Sequence, residues 1–138
     1  MANAAAKLFT SYLETKGVNA RIMDDEEKVV RVGWKLENTS ISILFFFSDD
    51  CEDVAIRGSE FVTIPKDKVE KIYKVLNACN NKFRWVKFTM DEEDCEVRVE
   101  ADAVIQLDSC AEECFELMLR MSNIVDDAYP EFMKALWA

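Results

Sequence analysis

Covalent chemistry in this chain would have to come from cysteine or from carboxylates. The 138 residues hold five cysteines, Cys51, Cys79, Cys95, Cys110 and Cys114, and no histidine. Most nucleophilic and acid–base schemes lean on imidazole. A thiol acting alone needs an accessible, electropositive setting. Cys79 is the best placed, with Lys74 and Lys82 near it in sequence. It lies toward the end of a helical stretch, however, where the partial negative charge opposes a thiolate. A packed thiol is the favoured reading. Cys110 and Cys114 share a helix face at i,i+4 spacing. No histidine completes a metal site there, and four-cysteine zinc sites use tighter pairs. With 27 acidic residues, neighbouring carboxylates arise by chance. No Gly-rich phosphate loop is present, and no cofactor is expected. A small enzyme using carboxylates or a thiol stands as the alternative to a non-enzymatic protein.

An odd number of cysteines without a CxxC pair argues against a secreted disulfide framework and for reduced thiols in the cytoplasm. The segment from Met1 to Lys7 has no basic stretch followed by a long apolar core, so no secretory leader is expected. The run Ile41 to Phe47 is too short to span a bilayer. A formal charge of −10 disfavours nucleic acid and anionic membrane as partners, and suits a basic one. The length and the half-apolar composition fit one domain, 1–138, with a real core.

Charge is unevenly spread. From Ile64 to Lys87, seven basic residues face only Asp67 and Glu70, a segment charge of +5 that leaves −15 for the remainder. Three acidic clusters, Asp24 to Glu27, Asp49 to Asp53 and Asp91 to Asp94, sit between apolar alternating runs and read as turns. In a meander the first and third turns share one rim of the sheet, so the first two clusters should lie side by side. They read as solvated turns first, and as a site for a basic segment or for weak calcium capture second. The spacing of an EF-hand is absent.

The elements that must position these groups follow from periodicity. Residues 4–16 form an apolar stripe at helical spacing, with Gly17 as a C-terminal cap. Ala20 and Ile22 open a short strand. Val30, Val32, Trp34 and Leu36 alternate with Val29, Arg31, Gly33 and Lys35; Ile41, Ile43, Phe45 and Phe47 continue the alternation, and Val54 with Ile56 begins a fourth strand. Pro65 suits the start of a helix carrying Val69, Ile72, Tyr73, Leu76 and Cys79. The Asn77–Asn81 corner is expected to end it, since Asn tolerates the left-handed conformation. An aromatic strand from Phe83 to Met90 follows, then a return strand through Val97, Val99, Ala101 and Ile105. Ser109 to Glu112 has the capping-box spacing, and Tyr129-Pro130 is expected to break or kink the last helix. The order α-ββββ-α-ββ-α indicates an α+β fold: a twisted antiparallel sheet with helices packed on it.

Leu76-Asn77-Ala78-Cys79-Asn80, the aromatic run Phe83 to Met90 and the return Asp91 to Val104 resemble the YbjN family of bacterial proteins, also labelled sensory transduction regulators. The Tyr129-Pro130 element resembles it too. The resemblance implies a fold like that of type III secretion chaperones. It implies no agreed activity and no catalytic residues. Many relatives carry Gly in the hairpin turn where this chain has Glu92-Glu93-Asp94.

The surface therefore carries the functional reading. In Leu44-Phe45-Phe46-Phe47, Phe45 and Phe47 point to one side of the strand, Leu44 and Phe46 to the other. Either the strand is buried on both sides within the monomer, or an apolar face awaits a partner. The same choice arises for Phe83 and Trp85 against Val86 and Phe88. The candidate interface is Leu44, Phe46, Lys66, Lys71, Lys74, Arg84 and Trp85. The expected role is a non-enzymatic module, chaperone-like or regulatory, that binds a protein or peptide. The expected partner is basic, or a second copy of the chain pairing its positive helix with an acidic rim.

Overall fold

A computed structural model describes residues 3–137. Helix α1 (Ala4–Thr15) starts on Asn3, whose side chain accepts the Ala6 amide at 3.0 Å. It stops where expected. Gly17 takes φ +73°, and the Val18 amide reaches the Leu13 carbonyl at 2.9 Å, the closing bond of a Schellman cap. Strands β1 (Arg21–Ile22), β2 (Val29–Lys35), β3 (Ser40–Phe47) and β4 (Asp53–Ser59) form the meander. A 3-10 turn at Lys66–Lys68 leads into α2 (Val69–Lys82). The hairpin β5 (Lys87–Met90) and β6 (Val97–Val104) precedes α3 (Cys110–Trp137). All pairings are antiparallel, in the spatial order β1-β2-β3-β4-β6-β5. This is the α+β architecture read from the sequence.

The helices cover one face of the sheet. Val30, Val32, Ile43, Phe45, Ile56, Val97 and Val99 point into that face and are fully buried. Phe9 of α1 lies 4.5 Å from Phe45, ring centre to ring centre, and Phe132 of α3 lies 5.7 Å from Phe88. Alternation thus places β3 against helices on one side only, so the strand is not buried on both sides.

Three local expectations are corrected. First, Pro130 does not break α3, which runs unbroken through it. Proline removes the amide that would bond the carbonyl of Asp126. That carbonyl accepts from Asn38 Nδ2 at 3.1 Å, and the Asn38 amide donates to Asp126 Oδ1 at 2.7 Å. The β2–β3 turn thereby stands in for the lost helical bond. Second, the Asn77–Asn81 corner adopts no left-handed conformation, and α2 runs on to Lys82. Asn80 instead reaches the free edge of β5: it accepts the Phe88 amide at 2.6 Å and donates to the Phe88 carbonyl at 3.1 Å. One carboxamide satisfies both outward backbone groups of an edge residue, much as a neighbouring strand would. Third, Ser109 makes no capping box with Glu112; its hydroxyl donates to Glu113 Oε1 at 2.6 Å. The hairpin turn that lacks Gly places Cys95 at φ +56°, with its amide on the Asp91 carbonyl at 2.8 Å.

Candidate functional site

The uncovered face of the sheet presents two rows of cross-strand neighbours. One reads Arg31, Leu44, Arg57, Glu100, Lys87 across β2, β3, β4, β6 and β5. The next reads Val29, Phe46, Ala55, Asp102. Leu44 is half-buried by its neighbours; Phe46 keeps 40% of its surface exposed, and Val104, at the end of β6, keeps 83%. An apolar band therefore crosses an otherwise charged face, with a dent of about 250 Å³ lined by Asp53, Ala55, Asp102 and Val104.

The charges around this band are ordered by pairing. Arg57 meets Glu100 at 3.2 Å and Asp102 at 2.8 Å, and donates to the Ala101 carbonyl at 3.2 Å. Arg31 folds over Gly33 and reaches Glu60 at 3.5 Å. Arg98 gathers Asp94 at 2.6 Å, Asp91 at 3.4 Å and Glu96 at 3.7 Å. Exposed pairs of this kind contribute little stability. They do fix where charge stands on and beside the open face, which matters for recognition.

The seven candidate residues fall on two surfaces. Leu44 and Phe46 lie on the open sheet face. Lys66, in the 3-10 turn, and Lys71 and Lys74, on α2, are exposed on the helical side with Arg84 and Trp85. The strand expected to begin at Phe83 begins at Lys87 instead, because Trp85 takes φ +78° and interrupts the extended run. The two-faced ambiguity there disappears: Val86 and Phe88 are buried, while Lys87 and Thr89 are exposed. Trp85 stays 54% exposed, with the guanidinium carbons of Arg84 and Arg120 at 5.4 and 5.0 Å from its ring centre. Sequence reasoning missed Arg120. Its pairing with Glu116 at i,i+4, 3.0 Å, reads as ordinary helix surface, and only the packing of α3 brings it to Trp85.

The groups that could do chemistry are placed for other work. Cys79 is buried, and desolvation pushes its thiol up, helped by the Glu131 carboxylate and opposed by Lys82. It lies under a groove of about 370 Å³ between α2 and α3, with Lys74, Lys82, Phe83 and Glu131 around it. Burial also raises Cys110, and pushes Cys114 up to about 12. These thiols stay protonated at neutral pH, which is the packed reading. The first two acidic clusters do share a rim: Lys28 bridges Glu26 at 2.5 Å and Asp49 at 3.2 Å. Several of their carboxylates are already occupied. Asp24 accepts the amides of Lys28 and Val29, both at 2.9 Å. Asp50 accepts the Ser48 hydroxyl and the Glu52 amide, bonds that hold its carboxyl below the ordinary value. Among the described residues no cluster of His, Cys, Asp and Glu could hold a metal ion. Among them also, no helix is long and apolar enough to cross a membrane.

Residues 6–132 match the family described as YbjN, putative bacterial sensory transduction regulator. The chain belongs to the YbjN family. Among solved structures, the YbjN fold seen here is similar to YbjN of E. coli, described as a putative transcription regulator. That likeness has a TM-score of 0.63 at 10% identity, over 91% of this chain and 91% of that one. It is also similar to a chain of the ExsC–ExsE complex, with a TM-score of 0.55 at 18% identity, over 93% of this chain and 92% of that one. At these identities the likeness shows the fold. No curated protein matches the sequence.

Proposed function

We propose that this YbjN-family protein is a non-enzymatic binding module, regulatory or chaperone-like, that docks a polypeptide partner on the open face of its sheet. One observation carries the reading: Phe46 stands exposed in a band with Val29, Leu44 and Ala55, inside a frame of charges held by ion pairs. An apolar strip with an ordered charged border is how a surface combines docking with selectivity. A similar fold occurs in a two-protein complex, ExsC–ExsE, which agrees with a protein as partner. The net charge of −10, with Asp53 and Asp102 beside the band, favours basic residues flanking the partner's apolar segment. A second copy of the chain is the other occupant with the right chemistry.

The test is a photo-crosslinking side chain at position 46 and, as control, at the exposed Leu8 on α1. Adducts with a protein of the source cytoplasm are expected at 46 and not at 8. A folded Phe46→Asp variant should lose that partner in pull-downs. If it captures the same proteins as the wild type, the sheet face is not the docking surface. Mass measurement in solution identifies the second-copy case.

A further inference from the structure

The linker between α2 and β5 holds a large aromatic side chain in a backbone conformation that its residue type disfavours. Trp85 sits at φ +78°, where glycine is at ease and a bulky residue is strained. Such strain persists only when the surroundings impose it, and it gathers at ligand-binding positions. What the strain achieves here is visible: the indole projects outward, 54% exposed, between residues from two separate elements, Arg84 and Arg120.

We infer that Trp85, Arg84 and Arg120 form a binding site for an acidic peptide segment carrying an apolar side chain. A guanidinium stacked on an indole keeps the N–H groups at its edge, which grip a carboxylate in a two-pronged fork. Arg84 has no carboxylate partner among the described residues. Arg120 commits Nη2 to Glu116 and leaves Nε and Nη1. Lys82 and Lys87 add positive charge on either side of the linker. The apolar side chain has a place as well: Phe83 and Lys82, next along the chain, line the groove over Cys79.

Charge complementarity selects the occupant. On a chain of net −10 an acidic segment is repelled from most of the surface and drawn to this corner. A nucleic acid needs a longer basic track for its phosphates than four side chains supply. The site is separate from the sheet face and stands whether or not that face docks a partner.

The test titrates 15N-labelled protein with a blocked peptide rich in Glu and Asp around one Leu, and with its Gln/Asn counterpart. The indole N–H signals of Trp34, Trp85 and Trp137 report separately. The acidic peptide should shift Trp85 and the Nε signals of Arg84 and Arg120; the neutral one should not. Arg120→Gln should weaken binding about tenfold. Glu116→Gln, which releases the rest of Arg120, should tighten it by about threefold. Trp85→Gly should lose binding while keeping the fold, since glycine fits the backbone there. Phe46→Asp should bind as wild type, which separates this site from the sheet face. Any of four results overturns the inference: equal shifts from the neutral peptide, undiminished binding by Trp85→Gly, equal competition by a single-stranded oligonucleotide, or Trp85 shifts that follow protein concentration alone. The last would assign the corner to a second copy of the chain.

Discussion

The two faces of the sheet are built from the same strands, one residue apart, and are held by different forces. Among the described residues the helix face contains no buried charged side chain, and its buried polar side chains include Ser122. Its packing is tight enough that a Cβ on Gly58 would stand 2.6 Å from Val99 Cγ1 and 2.8 Å from Ile41 Cδ1. The open face alternates apolar side chains with arginines and carboxylates that pair across strands. The contrast separates two tasks that period-2 alternation assigns to one chain. Burial on one side stabilises the sheet; order without burial on the other leaves a patterned surface open to solvent.

Neighbouring phenylalanines of β3 provide the sharpest measure of that contrast. Phe45 is fully buried against Phe9, and Phe46 is 40% exposed. Phe45→Ala should cost about 3–5 kcal/mol in urea unfolding, from lost burial and the cavity left behind. Phe46→Ala should cost under about 1 kcal/mol. Similar losses at both positions would mean that Phe46 is covered in solution, and the faces would not differ as described.

The free edges come next in size. Asn80→Ala leaves the Phe88 amide and carbonyl without their partners, at a cost of about 1–2 kcal/mol. It also uncovers a strand edge able to pair with another chain. Hydrogen exchange at the Phe88 amide should accelerate, and self-association should appear at high protein concentration. An unchanged exchange rate would show that the Asn80 clamp does not protect the edge.

Regular alternation made the sheet legible in the sequence: β2, β3 and β6 fall where apolar residues recur every second position, and Gly17 ends α1 as glycine does elsewhere. What escaped were substitutions of one bonding partner by another distant in sequence. Pro130 signals a break or kink by local rules, and the donation from Asn38 to the Asp126 carbonyl replaces the bond that proline removes. The Asn-rich corner signals a left-handed cap, yet Asn80 works as an edge clamp. The candidate surface was half legible. Parity put Leu44 and Phe46 on one side of β3, but which side the helices take depends on packing. Arg120 had no sequence signal at all, since its place beside Trp85 comes from the packing of another element.

The smallest effect tests whether the border of the open face is electrostatic. Asp94, in the β5–β6 turn, accepts the Glu96 amide and pairs with Arg98, and these bonds, the amide first, hold its carboxyl below the ordinary value against a desolvation that opposes them. A carboxyl depressed in the folded state stabilises the fold above the unfolded value, near 4. That contribution is lost as pH falls through the folded value, so melting temperature should drop across the acid range below about pH 4. Asp94→Asn keeps an oxygen for the Glu96 amide and removes only the charge. It should behave nearly as wild type at neutral pH in moderate salt, where exposed pairs are screened. Below about pH 4 its melting temperature should fall less steeply than that of the wild type. The helix face, with no carboxylate buried in it among the described residues, gives no reason for such a slope. If Asp94→Asn leaves the acid profile unchanged, the Arg98 cluster does not contribute to holding the border of the open face.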